Sequence, residues 1–129
     1  MRRTRGDDFR RQPHTRAQGR LGEDEGVLWL ERQGYRIAQR NAVNKAGEID
    51  VVAYDGEVLC FIEIKARATD DYGEAIEAVT PRKQRRLVRA ALLYLALNPV
   101  DGPCRFDVLG MDLGADGWRF TLVKDAFMA

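Results

Sequence analysis

Acidic and basic residues near the middle of the chain have the types and spacing of a metal-dependent hydrolytic site. Asp50 ends the segment GEID, and Glu63 and Lys65 alternate with isoleucines in FIEIK. Carboxylates supply the hard oxygen ligands that Mg²⁺ and Mn²⁺ prefer. A divalent ion polarises a phosphate oxygen and activates water, and a nearby lysine stabilises the developing charge. These residue types therefore favour phosphodiester hydrolysis.

The geometry of a β-hairpin predicts how these residues meet. Asp55-Gly56 is a strong signal for a two-residue hairpin turn. In the register that this turn sets, Glu48 lies opposite Glu63, and Asp50 is the diagonal neighbour of Glu63. Lys65 follows on the same face, because side chains alternate between faces along a strand. Like charges placed opposite one another destabilise a strand pair, so we expect a bound cation to neutralise them.

A solvated sheet face is the competing interpretation of the same residues. Glu48, Glu63 and Lys65 would then form only cross-strand ion pairs, worth about a few tenths of a kcal/mol. The metal site is favoured because Ile62 and Ile64 alternate with Glu63 and Lys65, so that the charged residues belong to an otherwise apolar strand. Asp50 also arrives from the partner strand at the matching level.

The residues that are scarce or absent exclude several other chemistries. The only histidine is His14, and the chain contains no serine. Ser-His-Asp hydrolysis and nucleases with a histidine base are thereby excluded. Cys60 and Cys104 lie far apart without a CxxC motif, which excludes a cysteine-rich zinc site and predicts two reduced core thiols. Carboxylates and lysine must carry any chemistry.

The length and hydropathy of the chain predict one globular domain. A chain of 129 residues and 14.6 kDa is large enough for one core and too short for two ordinary domains. No apolar run reaches the roughly 18 residues that a membrane helix requires, and the first residues lack the hydrophobic region of a secretory signal. We therefore expect a cytoplasmic protein without a membrane contact.

The charge is unevenly distributed along the chain. Residues 1–20 contain seven arginines and two aspartates, hence +5, which leaves −4 on residues 21–129 from the total of +1. We interpret residues 1–20 as a basic, flexible arm and residues 21–129 as the folded domain. Such an arm can neutralise phosphates of a nucleic acid, or it can be no more than a disordered terminus.

Periodicity and turn residues predict an α/β fold with the order αβββαββ and a mixed central sheet flanked by helices. In the first helix, Glu23 lies at the N-terminal end of the stripe that Val27 and Leu30 continue. Thr80-Pro81 provides the N-cap and first position of the second helix. The expected elements are a helix at 21–33, strands at 35–43, 48–54 and 57–67, a helix at 81–97, and strands at 104–113 and 118–126.

The first half of the second helix is strongly basic. Arg82, Lys83 and Arg86, together with Arg67 at the end of the third strand, are candidates for binding nucleic-acid phosphates. Arg85 and Arg89 add to the same charge. A solvated basic helix face is the alternative interpretation of each residue taken alone.

Asp50 and Glu63-Ile64-Lys65 resemble the signature of the PD-(D/E)xK nuclease superfamily, an acid on one strand and (D/E)xK on the next. The proline that precedes the acid in the superfamily is replaced by Ile49. Longer blocks, spanning roughly residues 19–113, resemble the YraN family of bacterial proteins: GEDEGVLWLERQGYRIAQRN, GEIDVVAYDG, FIEIKAR, AVTPRKQRRL and RFDVLGMDL. That family is similar to archaeal Holliday junction resolvases, which implies a restriction-endonuclease-like core.

The resemblance implies a role for each matching residue. Asp50 and Glu63 would be metal ligands, and Lys65 the catalytic lysine. Glu23 would be the helix-borne acid near the metal, and Glu48 an auxiliary ligand. The implied protein is an endonuclease that uses Mg²⁺ or Mn²⁺ on DNA, branched or damaged, in repair or recombination. Resolvases act as two-fold dimers, so a homodimer is expected by analogy.

Two other classes of function remain open from the sequence. A nucleic-acid-binding or scaffold protein can retain the nuclease fold without catalysis, and its binding would survive loss of the carboxylates. A structural partner in a larger complex would instead use its basic surface against acidic protein.

Overall fold

The computed structural model describes the backbone of residues 16–68 and 79–128, and side chains from Gly22 onward. Most of the proposed N-terminal arm, residues 1–15, lies outside this range, as do residues 69–78. The elements follow the predicted order αβββαββ: α1 Arg16–Arg32, β1 Arg36–Asn44, β2 Gly47–Asp55, β3 Val58–Ala68, α2 Pro81–Leu97, β4 Cys104–Gly114 and β5 Gly117–Phe127.

The five strands form one mixed sheet in sequence order. β1 pairs with β2, β2 with β3 and β4 with β5 in antiparallel fashion, whereas β3 and β4 run parallel. Parallel neighbours need a long crossover, and α2 lies within the connection from β3 to β4. The predicted α/β class is confirmed, and the sheet with its two helices is compatible with a restriction-endonuclease-like core.

Two apolar clusters cover the two faces of the sheet, because successive residues of a strand point to opposite sides. One cluster packs α1 on the sheet: Val27, Leu30, Tyr35, Val51, Ala53, Cys60, Ile62, Leu109 and Met111. The other packs α2 on the opposite face: Ala42, Ile49, Val52, Leu59, Phe61, Leu87, Ala90, Ala91 and Phe106. Each fully buried large side chain contributes roughly 1.5–3 kcal/mol of transfer free energy.

The helices differ in how well their ends were predicted. Pro81 begins α2 as expected, and the Thr80 hydroxyl accepts a hydrogen bond from the backbone N–H of Lys83 at 3.3 Å. The predicted start of α1 at residue 21 is wrong, because the helix begins at Arg16 and its first turn contains no acid. Within the described residues, neither helix is long and apolar enough to cross a membrane.

The hairpin between β2 and β3 turns one residue later than predicted. Asp55 pairs with Val58, so the turn residues are Gly56 and Glu57 rather than Asp55-Gly56. Gly56 has a φ of 63° at the first turn position, where glycine is favoured because it adopts positive φ without strain. The predicted register is therefore wrong by two residues.

This shift changes partners but keeps Asp50 and Glu63 on one face, because an even shift preserves alternation. The predicted pairing of Glu48 with Glu63 does not form, and continuing the observed register brings Asp50 level with Glu63. The paired part of the ladder ends just before them, at Val51 and Ile62. The carboxyl groups of Asp50 and Glu63 thus lie directly across the two strands, whereas the predicted register made them diagonal neighbours.

Two further predictions about the core are corrected. Alternation along β2 predicts Ile49 on the same face as Val51, but Ile49 packs in the cluster of α2. Asn41, at this level of β1, has a φ of 53°. Cys60 is buried as predicted, whereas Cys104 is exposed because it stands at the very start of β4.

A buried polar network joins the strands at the end of the sheet away from Asp50. The fully buried Asp107 accepts hydrogen bonds of 2.8 Å from Nε and Nη2 of Arg105 and from the Tyr35 hydroxyl. Arg105 also donates to Asp55 at 2.8 Å. Tyr35 directly precedes β1, Asp55 ends β2, and Arg105 and Asp107 lie in β4. The network therefore helps to fix the relative positions of these three strands.

Candidate active site

A cavity of about 190 Å³ lies between the β1–β2 turn, the charged end of the β2–β3 pair and the first half of α2. It brings together five of the residues that the sequence singled out, three acidic and two basic. Its lining residues among those described are Gly47, Glu48, Asp50, Glu63, Lys83, Arg86 and Leu87.

Asp50 is the most strongly perturbed acid of the cavity. Its Oδ2 atom accepts a hydrogen bond of 2.8 Å from the backbone N–H of Ile64. Burial and then the charge of Glu63 raise the pKa of the Asp50 carboxyl to about 8, although the hydrogen bond from Ile64 opposes the shift. Both causes disfavour a second negative charge in this space. A cation bound here would reverse that preference.

Glu63 occupies β3 beside Asp50 and faces three basic side chains. Burial raises the pKa of the Glu63 carboxyl, while the charges of Lys65, Lys83 and Arg86 act in the opposite direction. Glu63 therefore lies between an acidic neighbour on one strand and basic groups from β3 and α2. This arrangement can hold a cation and an anion side by side.

Lys65 meets a second lysine that arrives from α2. Burial lowers the pKa of the Lys65 ammonium, and the adjacent charge of Lys83 lowers it further, while Glu63 raises it. Two ammonium groups this close repel one another unless an anion lies between or beside them. The pair is consequently suited to a phosphate oxygen or another anionic group.

Glu23 on α1 lies close to the site but is held by an ion pair. Its Oε1 atom accepts a hydrogen bond of 3.2 Å from Arg40 of β1, and Arg40 also donates to Asp24 at 2.7 Å. The Glu23 side chain is only 20% exposed, and its charge contributes to the raised pKa of Asp50. Sequence reasoning missed Arg40 because no local pattern links it to a helix 17 residues earlier.

The β1–β2 turn is fixed against α2 by side-chain contacts. Asn44 accepts a hydrogen bond of 2.9 Å from the Ala46 N–H and donates one of 3.0 Å to the Ala90 carbonyl of α2. A Cβ atom on Gly47 would lie 3.5 Å from the Arg86 methylenes, so this turn packs on the stem of Arg86. Arg86 is also one of the residues that line the cavity.

Lys65 and Glu23 do not line this cavity, and neither do the basic candidates Arg67 and Arg82. Arg82 is exposed on α2, and Arg67 is half-buried on β3, where its charge adds to the lowered pKa of Lys65. Gln84 points elsewhere, since its amide donates to the Val79 carbonyl at 3.1 Å and its side chain lines a different cavity.

The donor atoms fit a magnesium-like ion with few protein ligands. Within the described residues, no group of three or more histidine, cysteine, aspartate or glutamate side chains is arranged to hold a metal ion. Asp50 and Glu63 remain as a pair of hard oxygen donors. Mg²⁺ is commonly bound through one or two carboxylates, with water and substrate phosphates completing its coordination. The pair meets that requirement.

Comparison with known proteins gives a consistent family assignment. Residues 22–111 match the sequence model described as "Uncharacterised protein family UPF0102". A UPF0102 protein of Symbiobacterium thermophilum is 48% identical over 117 residues, covering 89% of this chain and 99% of the relative.

Two further UPF0102 proteins align over most of their lengths. That of Syntrophus aciditrophicus is 43% identical over 110 residues, covering 84% of this chain and 87% of the relative. That of Herminiimonas arsenicoxydans is 41% identical over 118 residues, covering 90% and 95%. The chain therefore belongs to the UPF0102 family, the YraN family whose sequence blocks it resembles.

Proposed function

We propose that this protein is a divalent-metal-dependent endonuclease that hydrolyses phosphodiester bonds in DNA. The observation that carries the proposal is the cavity in which Asp50 and Glu63 lie beside Lys83 and Arg86. Two partly buried acids form a cation site, and the adjoining basic groups form a site for phosphate. A phosphodiester bound with a divalent cation needs both.

Asp50 and Glu63 would hold Mg²⁺ or Mn²⁺, and the exposed Glu48 would be an auxiliary ligand at the cavity wall. The ion, when bound, would supply positive charge to the phosphate oxygens and lower the pKa of water. Asp50 must lose its proton before it binds a cation, because its pKa is raised to about 8. Metal binding should therefore release a proton below that pH.

The basic residues would bind and orient the substrate. Lys65 lies beside Glu63, where its ammonium can donate hydrogen bonds to a phosphate oxygen or to the attacking water. Lys83 and Arg86 would neutralise the phosphate in the cavity, and the exposed Arg82 would contact a flanking phosphate. Hydrolysis adds the water oxygen to phosphorus, breaks the bond to the leaving oxygen and transfers a proton to that oxygen.

The substrate proposed from the family resemblance is branched or damaged DNA, met in the cytoplasm during repair or recombination. A four-way junction presents two equivalent scissile bonds, so a homodimer is part of the proposal. Sedimentation of the protein with and without junction DNA measures whether two copies assemble on it.

A non-catalytic DNA-binding or scaffold protein is the second candidate. Two observations favour it. The described residues contain no cluster of three metal-ligating side chains, and the Glu23 carboxylate is already paired with Arg40. In this case Lys83, Arg86 and the rest of α2 would bind phosphates while the acids only shape the surface.

Cleavage of labelled junction, flap, single-stranded and duplex DNA with Mg²⁺ or Mn²⁺ distinguishes the two candidates. We expect metal-dependent cutting by the wild type and none by Glu63→Gln or Lys65→Ala, with Glu57→Gln in the exposed hairpin turn as the matched control. If no substrate is cut and all four proteins bind DNA equally, the binding protein is the correct description.

A further inference from the structure

A second cavity, of about 320 Å³, lies on the other flank of α2. Its described lining residues are Pro81, Gln84, Arg85, Val88, Arg89 and Met128. Val88 and Met128 give it an apolar surface, and Met128 is 85% exposed. Arg85 and Arg89 are both exposed and stand about one helical turn apart. No role in the proposed reaction accounts for this combination.

Arg85 and Arg89 of α2 differ from two other arginines of the fold in forming no ion pair with a described acid. Arg40 and Arg105 each form ion pairs with two carboxylates. Among the residues that the structure describes, Arg85 and Arg89 form no ion pair, and α2 itself contains no acid. A helix with several unpaired guanidinium groups on a domain of net negative charge is suited to a polyanionic partner.

The two cavities lie on opposite flanks of the same part of α2. Lys83 and Arg86 line the candidate active site, whereas Arg85 and Val88, their neighbours around the helix, line the second cavity. A helix with its side chains is about 10–12 Å wide. A nucleic acid bound at the active site therefore reaches the second cavity within a few nucleotides.

The chemistry of the second cavity suits a nucleotide whose base is not stacked in a duplex. Guanidinium groups pair with phosphate and also stack on the faces of bases. Val88 and Met128 offer apolar contact for a base face. In a perfect duplex the base faces are covered by their neighbours, so only an unpaired nucleotide can use this surface.

We propose that the cavity formed by Arg85, Val88, Arg89 and Met128 binds an unpaired nucleotide adjoining the cleavage site, and so selects DNA with a single-stranded branch over perfect duplex. This inference rests on the proposed function for its choice of DNA as ligand. It adds a binding site and a physical basis for substrate choice.

The test is DNA binding in EDTA, so that cleavage plays no part. Fluorescence anisotropy compares a labelled duplex with the same duplex carrying a single-stranded flap. We expect the wild type to bind the flap DNA tighter by about fivefold or more, the gain from an extra base contact. Arg85→Gln/Arg89→Gln should lose this preference, while the charge-matched control Arg32→Gln/Arg119→Gln, at exposed positions outside α2, should keep it.

Met128→Ala provides a second variant that leaves every charge in place. Because Met128 is largely exposed, its loss should not unfold the protein, and it should reduce the flap preference without changing duplex binding. Equal weakening of both DNAs by Arg85→Gln/Arg89→Gln would overturn the nucleotide site and leave only a phosphate contact. A wild type without any flap preference would overturn it as well.

The outcome is separable from that of the proposed nuclease function. A protein that cleaves DNA but shows no flap preference retains the proposed function and loses the nucleotide site. A protein that prefers flap DNA in EDTA but never cleaves retains the nucleotide site and loses the nuclease function.

Discussion

The Asp50 carboxylate accepts a hydrogen bond of 2.8 Å from the backbone N–H of Ile64 on the neighbouring strand. The bond lies just beyond the last paired residues of the β2–β3 ladder, where the strands would otherwise separate. It holds the acid of one strand next to Glu63, the residue that precedes Ile64 on the other. The geometry of the site thus depends on the Asp50 side chain, which accepts a hydrogen bond that a backbone carbonyl would accept in a regular β-ladder.

Replacement of Asp50 by asparagine should stabilise the metal-free protein at alkaline pH. The folded-state pKa of Asp50, about 8, lies above the unfolded value of 3.8, so the folded state holds the proton more tightly. Stability from this group is fully present below pH 3.8 and is lost as pH rises toward 8. Asparagine retains the acceptor for Ile64 without the charge.

Urea unfolding in EDTA at several pH values measures this effect. We expect the free energy of unfolding of Asp50→Asn to exceed that of the wild type by at least about 1.4 kcal/mol at pH 8.5, since a shift of one pKa unit corresponds to roughly that energy. The difference should shrink toward pH 4. Equal pH dependence in both proteins would mean that Asp50 is ionised in the folded state.

Replacement of Asp107 by asparagine should destabilise the fold without affecting the site. Burial raises the pKa of Asp107, but hydrogen bonds from Arg105, Tyr35 and the Asp125 N–H outweigh it and leave the pKa below its usual value. The charge therefore stabilises the fold above the unfolded pKa, and this stabilisation is lost as pH falls through the folded pKa.

Removing one partner of a buried ion pair typically costs about 3–5 kcal/mol. We expect a loss of that order for Asp107→Asn at pH 7 by urea unfolding, and unchanged Mn²⁺ binding at temperatures where the variant is folded. A loss of metal binding by the folded variant would show that the network also positions the site.

Arg82 and Arg86 should each contribute one phosphate contact to duplex binding. Neutralising one contact reduces the slope of log K against log salt concentration by about 0.9 for duplex DNA. We therefore expect Arg82→Gln and Arg86→Gln each to reduce the slope by nearly one, measured by anisotropy in EDTA. Arg32→Gln, at the end of α1, serves as the control, and an equal reduction there would indicate only a general charge effect.

Arg40 should weaken cation binding through its ion pair with Glu23. Replacement by glutamine leaves the Glu23 carboxylate unpaired near Asp50, which adds negative potential at the site. We expect Mn²⁺ affinity to rise by about two- to fivefold in Arg40→Gln, because the unpaired Glu23 charge attracts the ion but is screened by solvent. Glu23→Gln should have the opposite effect, and identical affinities in the two variants would exclude an electrostatic role for this pair.

Much of the fold could be predicted because its signals are local. Alternation along β2 and β3 assigned Asp50, Glu63 and Lys65 to one face, and Thr80-Pro81 fixed the start of α2. The exact register could not be obtained, because Asp55-Gly56 and Gly56-Glu57 are both acceptable turn pairs. Asp50 and Glu63 stay on one face despite this error, because the two registers differ by an even number of residues.

The parts of the site that depend on tertiary contacts were not predictable from spacing. Arg40 reaches Glu23 from another element, and the meeting of Lys65 with Lys83 requires α2 to pack over the end of β3. Ile49 packs on the opposite face from the one that alternation with Val51 predicts. These features follow from how the layers pack rather than from any single segment.

Isothermal titration of the protein with Mn²⁺ tests most directly whether the partly buried pair of Asp50 and Glu63 holds a divalent cation. We expect saturable binding by the wild type with release of a proton below pH 8. Glu57→Gln should retain this binding, and both Asp50→Asn and Glu63→Gln should abolish it. Mn²⁺ binding that persists unchanged in Asp50→Asn and Glu63→Gln, or that is absent from the wild type at pH 8.5, would contradict the proposed cation site.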